Sequence, residues 1–374
     1  RTEHHSEKEL MQGRNQGTKN AKRRGGVLRR LVLGVAGIVV ASAVMIGCRS
    51  MPKSEIEAQI VSLEKNKPLL EDRELQTLAF EFTPREGKSA VEAELRYVVV
   101  KALEPTGEAP VVCVHPTPSS LFSFTEVALG RTLDGGSFEG LNANRDVYLI
   151  DVIGHGITQT KLSSYTFQSC ANYVASAIEA LDLKDVCLVG NSYGGEFAWR
   201  AALDRPDLIS RLVLVDSAGY DRRPDDFLPE EVAMRKIPGA GFGWLLNSRE
   251  RVRTALEPHF AELSEERLTE VFLTLESSDN WGAAVDLCRD EEGKRAPELK
   301  NLKQPTLLVW GSNDLAYTPE KYGKRFEDDI PNSRLVVVPE TGHYPQEERP
   351  EVFTQLMTQF LEGSLESVTV PEVR

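Results

Sequence analysis

The tightest constraint on what this chain can fold into is the stretch Val186-Cys187-Leu188-Val189-Gly190-Asn191-Ser192-Tyr193-Gly194-Gly195-Glu196-Phe197-Ala198. Its opening apolar run, rich in β-branched residues, predicts a buried parallel strand. Gly190-x-Ser192-x-Gly194 and Gly195 predict a sharp turn, and Phe197 to Leu203 a helix. Such a turn forces the serine into a strained backbone conformation and demands small neighbours. The hydroxyl then stands at the carboxyl edge of a sheet, above a helix N-terminus. That terminus carries partial positive charge, which suits an oxyanion. The plainer alternative is a glycine-rich turn holding an ordinary serine.

Further apolar runs predict the rest of a sheet. Thr77–Thr83 and Ala93–Ala102 alternate as two leading antiparallel strands. Val111–Val114, Val147–Ile150, Arg211–Asp216, Thr306–Gly311 and Arg334–Val338 read as strands separated by helices such as Tyr173–Leu181 and Glu351–Leu361. This order argues for a parallel α/β sheet covered on both faces. Between Asp216 and Pro305 lies a long stretch without a good strand. It has helical patterns near Pro229–Arg235, Arg249–Glu262, Glu265–Leu275 and Trp281–Cys288. We read it as an insertion over the carboxyl edge, where open α/β sheets bind ligands. Its apolar residues Phe242, Trp244, Leu245, Leu246, Phe272, Leu273 and Trp281 are divided between the insertion's own core and a pocket.

The start of the chain differs from the rest. Residues 1–30 hold 9 Lys and Arg against 3 Asp and Glu, so the formal charge of −13 for the whole chain becomes about −19 beyond them. Residues 31–47 carry no charge. A basic region, an apolar region and small residues before a break read as an export signal or an uncleaved anchor. Met45-Ile46-Gly47-Cys48 is similar to a bacterial lipobox, in which the cysteine is lipid-modified. Both readings place the bulk of the chain outside the cytoplasm, attached to the membrane by a lipid on Cys48 or by a helix. The acidic remainder excludes nucleic acid as a partner. The expected organisation is a signal or anchor over residues 1–47, a polar spacer over 48–75, a first core part over 76–216, a helical cap over 217–304 and a second core part over 305–374. Cys113, Cys170, Cys187 and Cys288 have no spacing that demands a disulfide, and no Cys/His cluster suggests a metal.

Taken in order, His115-Pro116-Thr117-Pro118, Asp151-x-x-Gly154-His155-Gly156, Gly190-x-Ser192-x-Gly194 and the late motifs Trp310-Gly311-Ser312-Asn313-Asp314 and Gly342-His343 resemble the α/β-hydrolase superfamily. The resemblance covers roughly Thr77 to Leu361. It implies an eight-stranded sheet, a cap between strands six and seven, a Ser–Asp–His triad and no cofactor. We assign Ser192, His343 and Asp314 to that triad, with Asp216 as the alternative acid. By the same resemblance, His115 and His155 are structural. The remaining histidines lie in the leader (His4, His5) or in the insertion (His259). The oxyanion donors expected are the backbone N–H groups of Thr117 and Tyr193. The usual His-Gly is here His115-Pro116, and proline lacks an N–H and fixes the loop's path.

A serine nucleophile suits acyl transfer, whereas epoxide hydrolases and haloalkane dehalogenases need a carboxylate. The expectation is a serine hydrolase, a carboxylic-ester hydrolase, acting on an ester-type bond of a small or medium apolar molecule. Gly190–Gly195 followed by Arg205-Pro206-Asp207 also looks like the carbon–carbon hydrolases of meta-cleavage pathways, although their usual Trp after the histidine is Tyr344 here. A non-catalytic protein on the hydrolase fold is the third reading. Such proteins usually lack a triad member.

Overall fold

The computed structural model describes residues 51–222, 248–290 and 292–371. The expected signal or anchor and Cys48 lie outside the described residues, as do the pattern near Pro229–Arg235 and Phe242, Trp244, Leu245 and Leu246. Among the described residues no helix is long and apolar enough to cross a membrane.

Eight strands form one sheet: β1 (Gln76–Phe82), β2 (Val91–Val100), β3 (Val111–Val114), β4 (Val147–Ile150), β5 (Val186–Asn191), β6 (Ile209–Val215), β7 (Thr306–Gly311) and β8 (Ser333–Val338). Their order is β1-β2-β4-β3-β5-β6-β7-β8. The pairs β1–β2 and β2–β4 are antiparallel and the others parallel. Every residue of β3, β5 and β7 is buried, as their unbroken apolar runs require. β1 alternates half-buried with exposed positions, because only one of its faces is covered. The chain leaves β3 toward β4 and returns on the other side as β5. The loops following β3 and β5 therefore part at the carboxyl edge, which opens a crevice between them.

Among the described residues seven longer helices accompany the sheet: α1 (Lys53–Ser62), α2 (Phe167–Ala180), α3 (Tyr193–Asp204), α4 (Arg249–Leu256), α5 (Glu265–Leu275), α6 (Ser278–Arg289) and α7 (Pro350–Glu362). One apolar cluster joins α2 and α3 to one face of the sheet, and a second joins α1 and α7 to the other. Between β6 and β7, α4 and α5 build a small cluster of their own from Val252, Leu256, Leu268 and Val271. The helical insertion thus stands where the sequence places it.

Residues 51–75 differ from the polar spacer expected of them. Ile56 and Ile60 on α1, with Leu69 beyond it, are fully buried in the second cluster. Lys53 donates to the Thr158 carbonyl, and Lys65 pairs with Glu270 on α5 in a buried contact. The Met51 N–H donates to the Glu276 carbonyl at 3.2 Å. Met51, Val61, Leu63, Leu70 and Leu75 pack partly against the same cluster, and the long charged side chains lie along apolar surface with their heads turned to partners.

Candidate active site

Ser192 stands between β5 and α3 with φ 57° and ψ −124°, an unusual left-handed conformation for a residue with a side chain. The neighbours must be small: a Cβ on Gly190 would stand 2.3 Å from the Gly194 carbonyl oxygen. The Ser192 N–H donates to the Val215 carbonyl at 2.9 Å, and the Ser192 carbonyl accepts from Ala218 at 3.0 Å. The turn is therefore fixed by backbone bonds to the strand beside it, and its side chain is left to face the crevice.

His343 follows β8, and Asp314 follows β7. The two meet through His343 Nδ1 and Asp314 Oδ2, 2.7 Å apart, with both side chains almost completely buried. Asp314 Oδ1 accepts the N–H groups of Ala316 (2.7 Å) and Tyr317 (3.1 Å). Burial works against its charge, but the His343 imidazole and these donors hold its carboxyl down to about 2. An ionised carboxylate on Nδ1 fixes the tautomer that leaves Nε2 as an acceptor. The ring of Tyr317 stacks on His343 with centroids 5.6 Å apart.

Asp216, the alternative acid, lies beside this pair. Both of its carboxyl oxygens approach the Gly311 N–H, at 3.0 and 3.3 Å. Burial, reinforced by the Asp314 charge, pushes its carboxyl well above the usual range, while the hydrogen bond between the two carboxyls helps to hold Asp314 down. One ligand-type atom from each of Asp216, Asp314 and His343 lies within 4.8 Å of the others.

The histidine loop is held from several sides that the sequence did not advertise. Asn191 donates to the His343 carbonyl at 3.1 Å and to Val215 at 2.9 Å, and accepts from Gln346 at 3.1 Å. Glu348 accepts the N–H groups of Gly342 (3.1 Å) and Tyr344 (3.1 Å), and also that of Ala261 in the cap (2.7 Å). His343 N–H donates to the cap carbonyl of His259 at 2.7 Å, and Phe260 stacks on Tyr344 with centroids 4.2 Å apart. Gly311 touches the same loop: a Cβ there would lie 1.8 Å from the Gly342 oxygen. The signal that marks Asn191 and Glu348 in sequence is their spacing, next to the serine and five after the histidine.

Ser192, Tyr193, Thr117 and His343 line one cavity of about 110 Å³. The cap closes it with Val252, Leu256, Val271, Leu275, Ala284 and Cys288. Of the cap residues proposed from sequence, Phe272 and Leu273 pack into apolar clusters. The pocket side chains come instead from other positions of the same helices. His115 and His155 are absent from the lining. His115 Nδ1 donates to the Pro116 carbonyl at 2.8 Å while Nε2 accepts from Val152 at 3.1 Å, and burial lowers its imidazole to about 4. His155 Nδ1 lies 3.0 Å from the Ile153 carbonyl, and burial lowers it to about 3. Cys113, Cys170, Cys187 and Cys288 are all buried and form no disulfide among the described residues.

Asp151, after β4, ties the loops together by accepting from Leu121 (2.6 Å) and Ile157 (2.7 Å). Burial nevertheless raises its carboxyl to about 7. An unfolded aspartate titrates near about 4. The native state therefore keeps a proton between these values that the unfolded state has lost. The group's contribution to stability is complete below about pH 4 and declines as pH rises toward 7. Asp151→Asn is expected to lower the melting temperature at pH 5, through the lost acceptor, but to flatten its fall between about pH 5 and 7. Thermal unfolding of both chains across that range measures the difference in slope.

Comparison with known proteins identifies relatives of the whole fold. A family described as the alpha/beta hydrolase fold matches residues 109–350. The uncharacterised hydrolase YugF of Bacillus subtilis is 32% identical over 263 residues, covering 68% of this chain and 90% of that protein. A 2-hydroxy-6-oxononadienedioate/2-hydroxy-6-oxononatrienedioate hydrolase of Pseudomonas putida is 28% identical, over 51% of this chain and 68% of its own. Among solved structures, a membrane phospholipase A shares the fold at a TM-score of 0.61 and 19% identity, covering 89% of this chain and 98% of its own. The chain belongs to the α/β-hydrolase family and is a hydrolase.

Proposed function

We propose that the chain is a serine hydrolase that cleaves carboxylic esters with a short, uncharged acyl group. One observation carries this reading: a strained serine and a buried Asp–His pair open onto one apolar cavity whose described lining contains neither Arg nor Lys. In this mechanism Ser192 Oγ attacks the ester carbonyl as His343 Nε2 takes its proton. Asp314 stabilises the imidazolium, and the N–H groups of Thr117 and Tyr193 receive the oxyanion. The imidazolium then protonates the departing alcohol. Water repeats the sequence on the acyl-enzyme, releasing the acid and restoring Ser192.

The cavity, at about 110 Å³, is somewhat smaller than the roughly 150 Å³ that accepts a benzene ring. That size supports acyl chains of about four carbons. A second reading, hydrolysis of a carbon–carbon bond in a vinylogous diketone, is favoured by the likeness to the Pseudomonas putida hydrolase. The dioate substrate in that enzyme's name carries two carboxylates. Among the described lining residues no Arg or Lys stands ready to pair with them, which weighs against this reading.

Fluorophosphonate labelling followed by a substrate panel tests the proposal. Labelling at Ser192, with p-nitrophenyl butyrate cleaved faster than the octanoate, is the expected result. Cleavage confined to diketone dicarboxylates transfers the assignment to the second reading. A folded chain that resists the label sinks both and leaves a non-catalytic hydrolase-fold protein. From the sequence alone we also propose export and lipid attachment at Cys48. A diacylglyceryl mass on an N-terminal peptide beginning at that residue is the expected finding.

A further inference from the structure

The loop after β3 holds Thr117 between two prolines, and nothing in its own sequence gives it the flexible glycine path usual at this position. Its placement comes from elsewhere. Arg267, on cap helix α5, is buried to 2% exposure. Its Nη1 donates to Ser119 Oγ at 2.9 Å, two residues beyond Thr117. Its Nη2 lies 3.2 Å from Glu347 Oε1, four residues beyond His343. The guanidinium also stands over the Tyr344 ring, 5.3 Å from its centroid. Around it the network closes. Glu270 accepts from Ser120 and pairs with Lys65, Glu347 accepts from Ser123, and Gln346 donates to Ser123 at 3.2 Å.

We infer that Arg267 is a positioning residue: from the cap, it fixes the loop that carries the Thr117 N–H relative to the loop that carries His343. A planar guanidinium with a rigid fork of donors reaches two partners in set directions, which an ammonium does not. The consequence falls on the transition state. An oxyanion donor displaced by a fraction of an ångström weakens stabilisation of developing charge, while the apolar cavity still binds the acyl group. The inference rests on the serine-hydrolase reading for its kinetic meaning, but the clamp itself is a statement about two loops.

The test uses the full chain and the variants Arg267→Met, Arg267→Lys, Ser119→Ala and the Arg267→Met/Ser119→Ala double variant. The rate of fluorophosphonate labelling at Ser192 is expected to fall about 10- to 100-fold in Arg267→Met, with KM for p-nitrophenyl butyrate changed by less than about threefold. Amide exchange in residues 117–123 should quicken. Ser119→Ala should slow labelling less, and the double variant no more than Arg267→Met alone, because both remove one coupling. Arg267→Lys should recover part of the rate. A folded Arg267→Met chain that labels at the wild-type rate overturns the inference, as does a lowered melting temperature with unchanged kcat per active site counted by titration with the label. If Arg267→Met does not fold, Ser119→Ala decides: labelling and exchange at wild-type rates overturn the clamp. If the unaltered chain is never labelled, the serine-hydrolase reading fails. Exchange at 117–123 in the variants then judges the clamp alone.

Discussion

Ser192→Ala is expected to reduce ester hydrolysis by about 10⁶-fold in kcat, to the rate left by binding and oxyanion stabilisation. The size follows from what the hydroxyl does under the proposed mechanism: no other group in the cavity replaces the atom that becomes acylated. The fold should survive. The turn is held by the backbone bonds of Ser192 to Val215 and Ala218, and alanine keeps both. Its Cβ meets the same backbone strain at φ 57° that serine already bears. The expected pattern is thus a normal melting temperature, unchanged binding of a non-hydrolysable ester analogue, and no turnover. Turnover within tenfold of the unaltered chain would remove Ser192 from the chemistry.

Asp314→Asn should lower kcat by about 10⁴-fold, again without unfolding the chain. An amide keeps the size of the side chain and can still accept from Ala316 and Tyr317. It carries no charge to stabilise an imidazolium, and its NH₂ group facing Nδ1 favours the wrong tautomer. Asp216 lies close enough to invite the idea of a substitute, and the variant tests that idea directly. Asp216, whose carboxyl burial pushes well above the usual range and whose side chain is hydrogen-bonded to Asp314, is not poised to take over. A loss of only tenfold would show that it had ionised and turned toward His343. In that event Asp216→Asn on the Asp314→Asn background should abolish the remainder.

The strands were legible because their composition leaves little choice. Runs such as Val186–Val189 and Leu307–Trp310 are apolar without a break, so they belong inside a sheet covered on both faces. Strand edges shifted by one or two residues where cross-strand pairing, rather than composition, decides the end: β2 begins at Val91 because it pairs with Phe82. The serine and the Asp–His pair were legible from motif order, since each follows a strand and the sheet brings strand ends together. The role of residues 51–75 was hidden, because three buried apolar residues among many charges make a weak pattern. The pocket lining was hidden as well. Which side of a cap helix faces the crevice depends on how α4, α5 and α6 pack on each other. Val271 lines the cavity while its neighbour Phe272 does not. Arg267 and Glu348 look like ordinary surface charges in sequence, and only the folded contacts reveal what they join.

The docking of α1 sets where the folded body begins. A chain shortened to start at the first strand would uncover the apolar seat of Ile56, Ile60 and Leu69 and take its lysine from the buried Glu270 charge, leaving it Arg267 and Ser120. Removing one member of a buried ion pair costs about 3–5 kcal/mol, a large share of the stability of any domain. A truncation that keeps the fold is therefore expected to stop short of Met51. Residues 51–75 belong to the folded body itself.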